Sequence, residues 1–140
     1  MSRTDRNKAA VRRFYDQIWN SGDTSAVPEI LAADLTFRGS LGAVRVGHAA
    51  FVDYVEGVVT ALGDYRCDID DLLADGDRVV ARMSFSGIHR GPLLGVPATG
   101  RRVSWAGVAF FTFTDDLIGD LWVLGDLDGL KSQLADTSAR

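Results

Sequence analysis

The chain has 140 residues, a mass of 15.1 kDa and a formal net charge of −4 at pH 7. That length predicts a single domain, residues 1–140, with a substantial core, and no apolar run approaches the roughly 20 residues that a bilayer span needs. The absence of a long apolar run argues against a membrane protein, and the negative net charge argues against nucleic-acid binding. The basic N-terminus has no apolar stretch behind it, so the sequence predicts no secretory signal and a cytoplasmic location.

The first third of the chain has the 3.6-residue apolar period of amphipathic helices. A first helix, capped by Ser2 or Thr4 and ending at residues 20–22, places its large apolar side chains on one face. A short second helix over residues 24–31 begins at Asp23 or Thr24. A strand at residues 35–38, a loop at residues 39–47 and a third helix over residues 48–62 follow. The apolar face of the first helix consists of Val11, Phe14, Tyr15, Ile18 and Trp19.

Beyond residue 64 the apolar period changes to two, which predicts strands. The links between these strands are short, so antiparallel pairing is expected. A last short helix, capped by Asp126 or Asp128, completes an α+β domain in which a cupped sheet is closed by helices. The predicted strands cover residues 65–73, 78–88, 101–114 and 117–124.

Alternation along the strands predicts which side chains face the helices. In residues 78–89 and 101–114 the odd positions are the more apolar set and are assigned to the inner face of the sheet. Small Gly107 and Ala109 between large aromatic residues favour a ligand cavity, with a core filled by the helices as the alternative. The large inward residues are Met83, Phe85, Trp105 and Phe111.

Seven short segments together resemble the SnoaL-like polyketide cyclase family. Each is weak alone, but their order and spacing are specific, and they span nearly the whole chain. They are residues 7–15 (NKAAVRRFY), 19–23 (WNSGD), 76–82 (GDRVVAR), 87–91 (GIHRG), 95–103 (GVPATGRRV), 118–122 (IGDLW) and 126–130 (DLDGL).

The resemblance implies a cone-shaped α+β fold of the nuclear transport factor two superfamily, with a curved antiparallel sheet, or barrel, packed against three N-terminal helices. It also implies a homodimer joined through the sheet. In the founding cyclases, an aspartate on the last strand and a histidine on the preceding strand catalyse an aldol closure. The matching positions here are Val123 and Ala109, which cannot transfer protons, so that mechanism does not carry over.

Two other residues are the candidates for proton transfer. His89 is the only strand histidine, and an imidazole is suited to acid/base work near neutral pH, although a structural hydrogen-bonded role is the alternative. Asp126 ends the last strand, where partial burial would raise its pKa, although capping the last helix would also explain it. One cysteine, Cys67, and two histidines are too few for a zinc site, so no metal is predicted. No dinucleotide or phosphate-binding motif is present, so no cofactor is predicted.

Aromatic and apolar residues are predicted to line the substrate pocket, since such side chains combine apolar area with an occasional polar tip. Trp122 has the opposite parity and is predicted to face outward into a partner subunit. The predicted lining consists of Tyr15, Trp19, Phe37, Tyr54, Met83, Phe85, Trp105, Ala109, Phe111 and Val123.

The resulting hypothesis is a cofactor-free cyclase or isomerase that acts on a hydrophobic, polyketide-like or aromatic small molecule. A binding module without catalysis is the first alternative, favoured by the shortage of inward ionisable groups. A hydrolase or hydroxylase variant of the same fold is the second.

Overall fold

The computed structural model of the protein describes residues 1–136, which form one six-stranded sheet covered on one face by helices. The helical segments are α1 (Arg3–Arg13), a π-helical turn (Phe14–Asn20), a 3-10 turn (Thr24–Ala26), α2 (Val27–Ile30), α3 (His48–Ala61) and α4 (Leu127–Ala135). The strands are β1 (Leu31–Arg38), β2 (Arg45–Val46), β3 (Leu62–Asp75), β4 (Arg78–His89), β5 (Arg102–Thr114) and β6 (Leu117–Gly125).

The strands are arranged in the order β2-β1-β6-β5-β4-β3. Four neighbouring pairs are antiparallel, whereas β1 and β6 run parallel. The predicted α+β class with a curved sheet and N-terminal helices is confirmed. The sheet is mixed and open rather than a closed, wholly antiparallel barrel. The parallel pair joins two strands that are far apart in the sequence. Short links between consecutive strands predict antiparallel neighbours only, so they could not indicate this pairing.

The predicted inner face of the sheet is confirmed. Odd positions of β4 and β5 are buried and the even ones are partly or fully exposed, as a sheet with one covered face requires. His89, the last residue of β4, follows the same parity and is fully buried. The even positions form an outer face that no element of residues 1–136 covers with a second layer.

The first helix begins as predicted and ends differently. Ser2 accepts a hydrogen bond from the Asp5 backbone N–H, and the Asp5 carboxylate accepts one from Ser2 in return, forming a capping box. At Phe14 the α-helix widens into a π turn that continues to Asn20. The turn buries two adjacent pairs of residues, Phe14 with Tyr15 and Ile18 with Trp19.

The second helix is shorter than predicted and β1 is longer. Asp23 caps the 3-10 turn, but α2 ends at Ile30, because Leu31 already pairs with Ile118 in the sheet. Within the predicted loop at residues 39–47, two residues form β2. The longer β1 arises from pairing with β6, which is distant in sequence, whereas β2 pairs with β1 across the loop that separates them.

Aromatic side chains fill most of the cup. The Phe14 ring lies 5.6 Å from that of Phe111 on β5 and 5.7 Å from that of Phe51 on α3. The space expected above Gly107 is occupied, since a Cβ there would lie 2.7 Å from the Phe85 ring. Ala109 is fully buried beneath the same layer. The large hollow expected from these small residues is therefore mostly filled core.

Asn20 connects the π turn to the sheet. Its side-chain oxygen accepts a hydrogen bond from the Cys67 N–H and its amide donates one to the Cys67 carbonyl, both at 2.8 Å. We expect Asn20→Ala to lower the free energy of unfolding by about 2 kcal/mol, because two backbone groups of β3 lose their partners. Urea denaturation measures the change.

The control for this substitution is Asp16→Ala, an exposed position on the same turn, which should change stability by less than about 0.5 kcal/mol. Equal effects of the two substitutions would show that Asn20 has no special role in docking the turn.

Candidate functional site

A small pocket lies between the helices and the inner face of the sheet. Its volume is about 30 Å³, enough for one or two water-sized groups. We call it the inner pocket. It is lined by Tyr15, Trp19, Phe37, Gly39, Ser40, Phe51, Tyr54, Tyr65, Phe85, Leu121 and Val123.

Six of the ten predicted binding residues lie together in this lining, namely Tyr15, Trp19, Phe37, Tyr54, Phe85 and Val123. Four others do not line it. Met83, Ala109 and Phe111 are almost completely buried in the packed floor of the cup. Trp105 stacks beside Phe85, with ring centroids 5.4 Å apart, and its indole N–H has no partner in residues 1–136.

The sequence prediction missed five lining residues: Gly39, Ser40, Phe51, Tyr65 and Leu121. Tyr65 shares the inward parity of buried Cys67 on β3, so alternation was a usable signal for it. Phe51 was on the predicted apolar face of the third helix. Gly39 and Ser40 lie in the loop after β1, where no periodicity indicates which residues turn inward.

Three phenols give the inner pocket its polar character. Burial raises the pKa of Tyr15 and that of Tyr65 well above the usual value of 10, and the nearby Cys67 and Tyr54 add to both rises. Burial also raises the pKa of Tyr54. All three are therefore protonated hydrogen-bond donors across the physiological pH range.

Cys67 lies beside these phenols and is buried. Burial raises the pKa of its thiol to about 12, and the side-chain hydrogen bond with Tyr65 only partly opposes the rise. A thiol with that pKa is a poor nucleophile at neutral pH. Cys67 is consequently a packed core residue, and it does not itself line the inner pocket.

His89 lies outside the inner pocket, at the far end of β4. Its Nδ1 accepts a hydrogen bond from the Thr99 backbone N–H at 3.2 Å and lies 3.0 Å from the Thr99 hydroxyl. The neutral ring then carries its proton on Nε2, which is buried and has no partner in the described part of the chain. The imidazole is held in one orientation by the loop before β5.

Asp126 also lies outside the inner pocket. Its side chain is exposed, and its carboxylate accepts a hydrogen bond from the Gly129 N–H at 2.9 Å at the start of α4. The predicted capping role is thus present, with Asp126 rather than Asp128 as the cap. The partial burial that was expected at Asp126 is absent.

Ala109 and Val123 are direct cross-strand partners on β5 and β6. Both face inward, and Val123 lines the inner pocket. The two positions at which the resemblance implied a histidine and an aspartate are therefore adjacent, and both carry hydrocarbon. No carboxylate, imidazole, ammonium or guanidinium group lines the inner pocket among residues 1–136.

Tyr54 separates the inner pocket from a more open outer pocket of about 220 Å³, which it also lines. The outer pocket is lined by Leu41, Gly42, Arg45, Asp53, Tyr54, Gly57, Val58, Ala61, Pro92, Leu93 and Leu94. The Tyr54 hydroxyl accepts a hydrogen bond from the Leu41 N–H at 3.2 Å, and the Arg45 guanidinium lies 5.7 Å from its ring. The loop between β1 and α3 thus fixes this side chain.

Two general features of the described chain bear on the site. In residues 1–136, no three His, Cys, Asp or Glu side chains are grouped so that they could hold a metal ion. Within the same residues, no helix has the length and apolar character needed to cross a membrane.

The comparison with protein families settles the relationship that the motifs indicated. Residues 9–134 match the model of the SnoaL-like polyketide cyclases. The chain belongs to this family. The sequence-based resemblance is thereby confirmed over almost the full length, although the family's founding proton-transfer pair is absent at Ala109 and Val123. No curated protein matches the sequence.

Several solved structures have the same fold as this chain. TsrD from Streptomyces laurentii is 31% identical, with a TM-score of 0.84 over 94% of this chain and 96% of its own. AclR from Streptomyces galilaeus, provisionally assigned as a hydroxylase, is 26% identical, with a TM-score of 0.80 over 94% and 85%. A SnoaL-like polyketide cyclase from Agrobacterium tumefaciens has the same fold at 19% identity, with a TM-score of 0.79 over 92% and 98%.

The raised pKa values in the pocket predict sensitivity to alkali. Folded Cys67 keeps its proton up to a pH of about 12, whereas the unfolded thiol releases it near 9, so the folded state loses stability as pH rises between these values. We expect the free energy of unfolding to fall by about 1.4 kcal/mol per pH unit from this group, and more steeply above pH 10, where unfolded tyrosines ionise.

Urea denaturation between pH 8 and 10.5 measures this slope. The Cys67→Ala variant is the control and should show a shallower slope between pH 9 and 10, whatever its absolute stability. Parallel curves for the two proteins would contradict the assignment of the slope to Cys67.

Proposed function

We propose that this SnoaL-like protein binds a hydrophobic, polyketide-like or aromatic small molecule between helices and sheet. On this proposal it acts as a cyclase or isomerase by acid/base catalysis without a cofactor. The observation that supports it most directly is the convergence of seven aromatic residues around one inner pocket that also has hydroxyl groups in its wall. Apolar concavities with a few polar groups are typical small-molecule sites. The residues predicted to bind substrate remain Tyr15, Trp19, Phe37, Tyr54, Met83, Phe85, Trp105, Ala109, Phe111 and Val123.

Ligand entry on this proposal requires movement, because the inner pocket alone holds only a small group. Tyr54 is the wall shared with the outer pocket, so displacement of its ring would join the two spaces. The ligand body would then occupy the outer pocket and its leading group the inner one.

His89 and Asp126 remain the proposed proton-transfer residues, and their test is kinetic. His89→Ala and Asp126→Asn should each lower turnover by roughly a hundredfold while circular dichroism shows an intact fold, the scale expected for general acid/base catalysis. The substrate for this assay is the molecule identified by mass spectrometry of compounds that co-purify with the protein. Unchanged turnover in both variants would remove the two residues from the mechanism.

A second candidate function is binding without catalysis. It is favoured by the hydrocarbon side chains of Ala109 and Val123 and by the distance of His89 and Asp126 from the inner-pocket lining. A co-purifying ligand that is recovered chemically unchanged after prolonged incubation would establish this alternative. A hydroxylase variant of the same fold is a further alternative, which the similarity to AclR supports. This alternative predicts that the protein consumes oxygen when the ligand is added.

We also propose that residues 1–140 form a single domain and that two copies associate through the outer face of the sheet. One sheet and one apolar core unite the described residues. On the outer face Phe110 and Trp122 pack together with ring centroids 5.9 Å apart, and each is 40% exposed. Leu124 beside them is 51% exposed. Such a cluster of exposed apolar residues is typical of a protein interface.

The charge-introducing variant Trp122→Glu tests the dimer. It should convert a species of about twice the chain mass into one of the chain mass in light-scattering chromatography, because a carboxylate would be buried unpaired at the interface. Val59→Glu, at an equally exposed apolar position on α3, should leave the mass unchanged. A wild-type protein with the mass of one chain would refute the proposed association.

A further inference from the structure

A tight turn at Leu94 and Gly95 lies in the segment between β4 and β5. Leu93 and Val96 on either side of it exchange both backbone hydrogen bonds, at 3.0 and 2.9 Å, in an antiparallel bridge. Both turn residues have a positive φ, 50° for Leu94 and 79° for Gly95. Positive φ at both residues is the pattern of a type I′ turn, in which asparagine, aspartate or glycine is usual at the first position. A leucine there is strained, because its Cβ crowds the backbone in the left-handed region.

Packing of the Leu94 side chain does not account for this strain. The preceding Leu93 is 8% exposed and belongs to the apolar core, whereas Leu94 is 37% exposed. Glycine or asparagine at position 94 would form the same turn with less strain and without a large exposed apolar side chain. Residues that are held in such sparsely populated conformations cluster at functional sites.

The segment that carries the turn is held at both ends. At one end, the Arg90 and Gly91 N–H groups both donate to the Ala61 carbonyl at the end of α3, at 2.9 and 3.1 Å. At the other end, the Thr99 N–H donates to His89 Nδ1 at 3.2 Å. A strained residue persists only where the surrounding structure fixes it in this way. These contacts therefore determine where the turn and its leucine lie.

The turn lies at the outer pocket. Leu93 and Leu94 line this pocket together with residues of α3 and of the loop after β1. Its volume of about 220 Å³ is below the roughly 300–1,000 Å³ of sites for drug-sized ligands, so it fits a molecule of one or two rings. The inner pocket, at about 30 Å³, cannot hold a ring. The ring system of a ligand would therefore lie in the outer pocket, beside the turn.

We propose that Leu94 is a specificity-determining residue, whose side chain contacts the ring system of the ligand in the outer pocket and favours larger apolar rings. This inference rests on the proposed binding of a hydrophobic small molecule. It assigns the selection of ligand size to the turn of residues 93–96 and not to the inner pocket. A ligand that covers the exposed part of Leu94 gains apolar contact, which an asparagine at this position would not supply.

Phenol and 2-naphthol test the inference, because they carry the same hydroxyl group and differ by one fused ring. Isothermal titration calorimetry measures both dissociation constants. We expect the wild-type protein to bind 2-naphthol at least about tenfold more tightly than phenol, because the second ring adds apolar area. Leu94→Asn should lower this preference by about fivefold. The same variant should raise the melting temperature by about 2–4 °C, because asparagine adopts a positive φ more readily than leucine.

Two further variants are controls. Leu94→Met retains an apolar side chain of similar volume at the strained position and should keep the preference within about twofold of the wild-type value. Leu73→Asn removes a leucine that is 64% exposed on β3 and lines neither pocket, so it should leave both dissociation constants unchanged.

Four results would overturn the inference and leave the proposed binding function standing. They are equal affinities of the wild-type protein for the two probes, an unchanged preference in Leu94→Asn, an equal loss of preference in Leu73→Asn, and a melting temperature of Leu94→Asn below the wild-type value. The last result would show that the leucine is needed for folding. Failure of the wild-type protein to bind either probe would overturn both the inference and the proposed function.

Discussion

The packing of the first helix against the floor of the sheet determines where a site can exist. Phe14 fills the centre of the cup against Phe51 and Phe111, and the π turn then brings Tyr15 and Trp19 inward beside it. The residues buried along this turn, Phe14, Tyr15, Ile18 and Trp19, are those that the helical period places on one face. The remaining space lies next to Tyr54, near the loop that follows β1. The position of the inner pocket is therefore a consequence of the packing of Phe14 against Phe51 and Phe111.

The sequence was most informative where one physical rule acted alone. Strand alternation identified the inner face, and the Ser2 cap and the start of α3 followed from local chemistry. Prediction failed where distant segments meet. The prediction of a gap above Gly107 did not include the Phe85 ring, which occupies that space. The parallel pairing of β1 with β6 has no signal in the local sequence. Six of the eleven lining residues were predicted from parity and helix face, whereas Gly39 and Ser40 lie in a loop without periodicity.

The chemistry of the site differs from the one that family membership suggests. Where the founding enzymes place a histidine and an aspartate, Ala109 and Val123 are hydrocarbon partners across two strands. The tyrosines that line the inner pocket lie on the π turn, α3 and β3, and burial raises their pKa values. Fold and chemistry are thus separable properties of this scaffold.

The loop after β1 lies so close to Tyr54 that two of its positions, Gly39 and Gly42, have no room for a side chain. A Cβ on Gly39 would lie 2.1 Å from the Tyr54 oxygen, and one on Gly42 would lie 2.9 Å from its ring. A single methyl group at either position would have to displace the ring or the backbone. Gly39 and Gly42 therefore allow the Tyr54 phenol to lie where it does because neither has a side chain. Substitution of either glycine by alanine is the smallest change to the loop and the most direct way to alter the entrance at Tyr54.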